Sequence, residues 1–161
     1  MVETRQGMIP RNKKQFRKEH SMSKVYHRLF YHAIWTTRLR EPLITPAIEK
    51  VLFPFMGNKA KRFNCIPHGI GGVENHVHIA ITIPPAESVS DIIGKLKGSS
   101  SYFLNKELQI TENFSWQDGF GVLSFAERDL QSVLHYIQHQ KEHHAANKLK
   151  EEMEKIDGED A

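Results

Sequence analysis

Large aliphatic side chains recur at every second position from Val77 to Ile83. Val77, Ile79, Ile81 and Ile83 share one face of the predicted strand, while His76, His78, Ala80 and Thr82 share the other. An earlier strand is predicted over Val25–Thr37, carrying Phe30, Ile34 and Trp35, and another around Phe63–Ile70. Thr45-Pro46 marks a helix start with an N-cap and an N1 proline, and Ile48, Val51, Leu52 and Phe55 follow at helical spacing. Pro54 should kink or end that helix early. Ser88 with Asp91 opens a second helix through Ile92, Ile93 and Leu96. Ser124 with Glu127 reads as a capping box for a last helix, whose core stripe is Leu130, Val133, Leu134 and Ile137. Tyr136, Gln140 and His143 fall on a neighbouring stripe of that helix, outside its apolar centre.

The order is strand, helix, strand, strand, helix, short or irregular strand, helix. It suits an α+β fold of the ferredoxin-like, RNA-recognition-motif-like kind, with helices covering one face of an antiparallel sheet. The other sheet face would stay open, and it is the face carrying His76 and His78.

Composition narrows the setting. A chain of 161 residues with 39% hydrophobic side chains is long enough for one domain with a real core. Residues 1–22 are basic and aperiodic and read as a disordered arm, with Met22 as an alternative start. Residues 23–150 form the predicted domain, and the acidic stretch 151–161 reads as a frayed tail. The single cysteine, Cys65, excludes an intrachain disulfide and reads as a small core residue. No apolar run reaches membrane-span length and no signal-peptide core is seen, so a cytoplasmic location is expected. A net charge of +3 is compatible with a polyanionic partner but too mild to establish one.

The candidate chemistry begins with His76-Val77-His78. Two imidazoles about 6.6–6.8 Å apart along one strand face can converge on a divalent metal; the bland alternative is a pair of surface histidines on an amphipathic strand. Tyr136 and Gln140 stand at i and i+4, side by side on one helical turn. If that helix lies across the open face, His76, His78 and Gln140 supply three neutral ligands and Tyr136 a nucleophile. A metal so held would polarise a phosphodiester and stabilise the leaving 3′-oxygen. Around this group, Arg38, Lys95, Lys97, Ser99 and Ser100 are candidate contacts to a nucleic-acid backbone, or simply a solvated face. Trp116 and Phe120 could stack a base or pack in the core. His143 and His144 read as phosphate or solvent contacts near the site.

Three segments taken together go further: Asn75-His76-Val77-His78, then Trp116-Gln117-Asp118-Gly119-Phe120, then Tyr136 through Gln140 to His143-His144. With Lys95–Ser99 and the opening Tyr31–Thr37, they resemble the single-tyrosine HUH transposases of bacterial insertion sequences, with REP-associated tyrosine transposases as cousins. The resemblance runs in order from Ser23 to His144. It implies a ferredoxin-like domain, with His76, His78 and Gln140 holding Mg²⁺ or Mn²⁺. It also implies that Tyr136 attacks hairpin-bearing single-stranded DNA to form a covalent 5′-phosphotyrosine. A homodimer is implied too, in which the tyrosine helix can dock against the partner's histidine pair. The basic arm has no counterpart in the family pattern, and the tail after His144 departs from it. Alternatives are a domesticated nickase acting on repeated palindromes and a non-catalytic single-stranded nucleic-acid-binding module. A histidine-triad hydrolase would need a histidine where Ala80 stands, and a two-histidine phosphoesterase would need His-x-Ser/Thr repeats that are missing.

Overall fold

The computed structural model describes residues 25–111 and 113–156. The basic arm of residues 1–22 lies outside them. The described residues form a four-stranded antiparallel sheet with five α-helices, in the order β1 (Phe30–Thr36), α1 (Pro46–Arg62), β2 (Ile66–Val73), β3 (His76–Thr82), α2 (Val89–Tyr102), β4 (Gly121–Phe125), α3 (Leu130–Gln138), α4 (Gln140–Ala145) and α5 (Glu151–Glu154). Across the sheet the strands run β2-β3-β1-β4, the ferredoxin-like arrangement.

β3 lies between β2 and β1, and every one of its residues is buried. Its aliphatic face, Val77, Ile79 and Ile81, joins Ala33 and Trp35 of β1 beneath α1 and α2. α1 contributes Ile48, Leu52, Met56 and Ala60, a strict i, i+4 stripe, and α2 contributes Ile92, Ile93 and Leu96. Burying such a stripe, at about 1.5–3 kcal/mol for each large aliphatic side chain, is what holds the helical layer on the sheet.

Two of the three predicted N-caps form. The Ile48 amide donates to Thr45 Oγ1 at 3.3 Å, and the Asp91 amide to Ser88 Oγ at 3.4 Å. Other boundaries move. α1 runs through Pro54 to Arg62, because Pro54 sits on the exposed side while Leu52, Met56 and Ala60 stay packed on either side of it. β2 consequently starts three residues later than the periodicity predicts, after Asn64 turns the chain with φ 58°.

The predicted capping box at Ser124 and Glu127 does not form. Ser124 belongs to β4, paired with Tyr31, because the free edge of β1 takes up residues 121–125 as a strand. α3 then begins at Leu130, after a short 3-10 turn over Glu127–Asp129. Nor is the last helix continuous: the backbone departs from helical angles at His139 (φ −107°, ψ 26°), separating α3 from α4.

The largest correction concerns the second sheet face, which is covered rather than open. α3 packs there because β2 presents glycines: a Cβ on Gly71 would fall 2.1 Å from the Ile137 carbonyl oxygen, and one on Gly69 2.6 Å from Leu134 Cδ2. Gly71 is the register partner of His78, so α3 is brought over the histidines. Residues 151–156 are packed, not frayed. Ile156 is buried, and the Lys155 carbonyl lies so close to Gly121 that a Cβ there would meet it at 1.8 Å. No described helix is long and apolar enough to cross a membrane.

Candidate active site

Four elements of the covered face meet at one point. β3 delivers His76 and His78, alternate residues of one strand and therefore on one side of the sheet. α3 delivers Tyr136, α4 opens with Gln140, and α5 brings Glu154. His76, His78, Tyr136 and Gln140 are all at most 3% exposed. For Tyr136 and Gln140 the flank of the helical stripe therefore faces the sheet and the site rather than solvent.

Glu154 is the common partner. The Tyr136 hydroxyl donates a short hydrogen bond to Glu154 Oε1 and accepts one from the Lys150 amide at 3.1 Å. His78 Nε2 is 3.5 Å from Glu154 Oε1, and His76 Nε2 is 3.7 Å from Oε2. His144 Nε2 lies 3.2 Å from His76 Nε2, while the His143 ring stacks on Tyr136 with centroids 4.8 Å apart. Gln140 Nε2 donates to the Tyr136 carbonyl at 3.2 Å. Behind the pair, His76 Nδ1 meets Asn75 Oδ1 and His78 Nδ1 meets His32 Nε2, each at 2.8 Å. Beside His76 opens a cavity of about 440 Å³, bordered by Arg40, Asn75, His144 and Glu154.

Burial dominates the protonation of this group. It pushes His76 down to about 3, helped by neighbouring His78, and His32 likewise to about 3, so both are neutral imidazoles. Burial and the hydrogen bond to Glu154 push the Tyr136 phenol up to about 12. For Glu154 burial acts upward, but the neighbouring His78, the hydrogen bond from Tyr136 and the nearby His76 outweigh it, leaving a carboxylate with a pKa of about 2.

The donors suit a divalent cation. Three buried atoms of the site, His78 Nε2, Gln140 Oε1 and His143 Nε2, have no hydrogen-bond partner among the described residues, an expensive state for polar atoms unless something else occupies them. His76, His78 and Glu154 offer ligand atoms within 4.8 Å of one another and could hold a metal.

The other sequence-predicted residues divide. His143 and His144 join the site, as above. Lys97 is used as a clamp, its Nζ donating to the carbonyls of Gln117 (2.6 Å) and Gly119 (2.7 Å). Trp116 is engaged in packing: it meets Trp35 and Phe114 edge to face and donates to Ser100 Oγ at 2.9 Å. Ser99 donates to the Leu96 carbonyl, Lys95 lies 3.8 Å from Glu87, and Arg38 is exposed. Lys95, Lys97 and Ser99 ride on α2, across the sheet from the histidines.

Two members of the site have no place in the sequence reading, His32 and Glu154. His32 carried a readable sign, a polar residue at the alternate positions shared by Ile34 and Thr36, but its closeness to His78 depends on strand register. Glu154 is one of three glutamates between 151 and 154, and nothing local distinguishes it.

A family profile described as IS200-like transposase matches residues 25–140. A solved candidate transposase of Deinococcus radiodurans R1 is similar at 20% identity and a TM-score of 0.59, over 73% of this chain and 95% of its own. A REP-associated tyrosine transposase bound to a REP hairpin is similar at 15% identity and a TM-score of 0.52, over 72% of this chain and 70% of its own. At these identities the two structures speak for the fold. No curated protein matches the sequence significantly. Glu154 and the His143-His144 pair lie beyond the residues the family profile covers.

Proposed function

Since the chain belongs to the IS200-like transposase family, we propose that it cleaves and rejoins hairpin-bearing single-stranded DNA through a covalent 5′-phosphotyrosine on Tyr136. One observation carries this reading: the Tyr136 hydroxyl and the Nε2 atoms of His76 and His78 converge on a single carboxylate, that of Glu154. Its oxygens stand where oxygens of a scissile phosphodiester would be reached by nucleophile and histidines together.

In this reading His76 and His78 hold Mg²⁺ or Mn²⁺, with an oxygen from Gln140 or Glu154. The bound cation supplies Lewis-acid polarisation of the phosphodiester. Gln140 is oriented by its own amide: Nε2 is tied to the Tyr136 carbonyl, leaving the Oε1 lone pairs free to ligate. Tyr136 Oη attacks phosphorus, the bond from phosphorus to the 3′-oxygen breaks, and the phenol's proton ends, in the net reaction, on the released 3′-hydroxyl. The 5′-phosphate stays on the tyrosine, which conserves the ester bond for rejoining. Stacking of His143 on the phenol limits its rotation about the attacking direction. Glu154 and the phosphodiester compete for the same place, so the segment from Lys150 to Ile156 withdraws when DNA enters.

The substrate class follows from the same shape. A buried, narrow site admits a splayed single strand more readily than a stacked duplex. A single-tyrosine chain that cuts two ends works best as a pair, so a homodimer belongs to the proposal. Here Tyr136 meets His78 within one chain, which differs from a site completed by the partner's histidines.

The test is incubation with a labelled hairpin oligonucleotide and Mn²⁺. The parent should form a denaturation-resistant adduct and Tyr136→Phe should bind without forming it. An adduct of equal yield in Tyr136→Phe would remove the assignment.

A further inference from the structure

The histidines of β3 can ligate a metal only through nitrogens that carry no proton, and the structure shows what governs this for each. His76 Nδ1 lies 2.8 Å from Asn75 Oδ1. An amide oxygen only accepts, so the His76 proton sits on Nδ1 and Nε2 is bare. His78 has a less decided partner. Its Nδ1 lies 2.8 Å from His32 Nε2, and the two rings stack at 5.0 Å with 20° between planes. Between two neutral imidazoles one proton serves this contact, and either ring can supply it. If His32 donates, His78 carries its proton on Nε2 and cannot ligate. If His78 donates, Nε2 faces the site bare.

His32 is not placed there for packing alone. It is 2% exposed, and His78 is fully buried. It occupies the β1 position opposite Ala80, the smallest residue on that face of β3, and this leaves its ring room to lean diagonally to His78. His78 Nε2, the atom the arrangement would free, has no hydrogen-bond partner among the described residues. Its nearest acceptor, Glu154 Oε1 at 3.5 Å, makes no hydrogen bond with it, so a protonated Nε2 there would be a buried donor without a well-placed partner.

We propose that His32 is a positioning residue of the metal centre: its Nε2 accepts from His78 Nδ1 and fixes His78 in the tautomer whose Nε2 can bind the cation. The inference rests on the metal-dependent reading above and adds to it the residue that makes His78 a ligand. Partners of this kind raise ligand basicity and fix ring orientation, and their loss weakens metal affinity by about 10–100-fold.

The experiment is Mn²⁺ titration followed by electron paramagnetic resonance, on the parent, His32→Gln and His32→Phe, each first shown to melt like the parent. Gln retains an acceptor oxygen and should bind within a few-fold of the parent. Phe keeps the bulk without the acceptor and should lose about 10–100-fold. Parent-like affinity in the Phe variant, or equal loss in both variants, overturns the role of His32 while leaving the metal centre standing. A parent that binds no Mn²⁺ overturns the metal reading and this inference with it. Nitrogen-15 spectra of the Mg²⁺-loaded parent give a second reading without mutation. A proton on His78 Nδ1 is the expected result, and a proton on Nε2 contradicts it.

Discussion

The Tyr136 hydroxyl donates to Glu154, a residue eighteen positions later in the chain and on a different helix. The nucleophile of the proposed reaction is thus held by a carboxylate that also faces both histidines. Glu154→Ala should open this place. A hydrogen bond to a charged group is worth about 1.5–3 kcal/mol, so adduct formation at saturating Mn²⁺ should rise by about one to two orders of magnitude. Mn²⁺ affinity in the absence of DNA should fall. Single-turnover cleavage measured beside metal titration checks both, and slower cleavage at saturating metal would show that the carboxylate is needed for the chemistry.

Gly71→Ala tests how the site is assembled. The added Cβ would meet the Ile137 carbonyl oxygen at 2.1 Å, backbone that cannot yield without moving α3. A loss of about 1–3 kcal/mol from overpacking is expected, together with a large fall in cleavage although every reacting side chain remains. Gly94→Ala is the contrast: nothing lies within 4 Å of its Cβ and it sits in α2. It should stabilise by about 0.5–1 kcal/mol and leave cleavage unchanged. Urea unfolding of both variants decides.

Acid should destabilise the metal-free protein early. His32 and His76 titrate at about 3 in the fold against an ordinary value of 6.5. Between those values the unfolded chain binds more protons, so stability falls as pH drops from 6.5 towards 3. Glu154 acts in the same direction, its contribution being complete above 4.5 and lost as pH falls through about 2. Tyr136 has the opposite sign: its contribution is present below pH 10 and lost as pH rises through about 12. Unfolding free energies measured in chelator from pH 8 to 4 should decline from near 6.5, with a shallower decline in His32→Gln. A flat profile from pH 7 to 5 would contradict the buried neutral histidines.

Much of the fold was written in local pattern. Alternation in β3, the Thr45-Pro46 and Ser88 caps and the α1 and α2 stripes all mark elements that form, because each depends on neighbours within a turn or two. What escaped the sequence depends on distance. The face of β3 bearing His76 reads as open, since only three-dimensional register shows that Gly69 and Gly71 admit α3 there. Ser124 reads as a cap until the free edge of β1 claims it. In the site, His76, His78, Tyr136 and Gln140 were legible as pairs at i, i+2 and i, i+4, whereas His32 and Glu154 reach the centre only through pairing and chain reversal.

Mixing separates a site formed within one chain from one shared between chains. Tyr136 and His78 have ring centroids 6.0 Å apart in the same chain. His76→Ala mixed with Tyr136→Phe, under conditions where subunits exchange, should therefore restore no cleavage. Recovery of about a quarter to a half of parental activity, as expected when mixed dimers form statistically with one intact composite site each, would place the tyrosine against the partner's histidines.

The most direct measurement is peptide mapping by mass spectrometry of protein trapped with a hairpin oligonucleotide and Mn²⁺. A peptide containing Tyr136 should carry the mass of the 5′-phosphorylated strand, with fragment ions placing it on the phenol and the released strand ending in a 3′-hydroxyl. The modification on any other residue, or cleavage with no covalent peptide at all, would contradict the account.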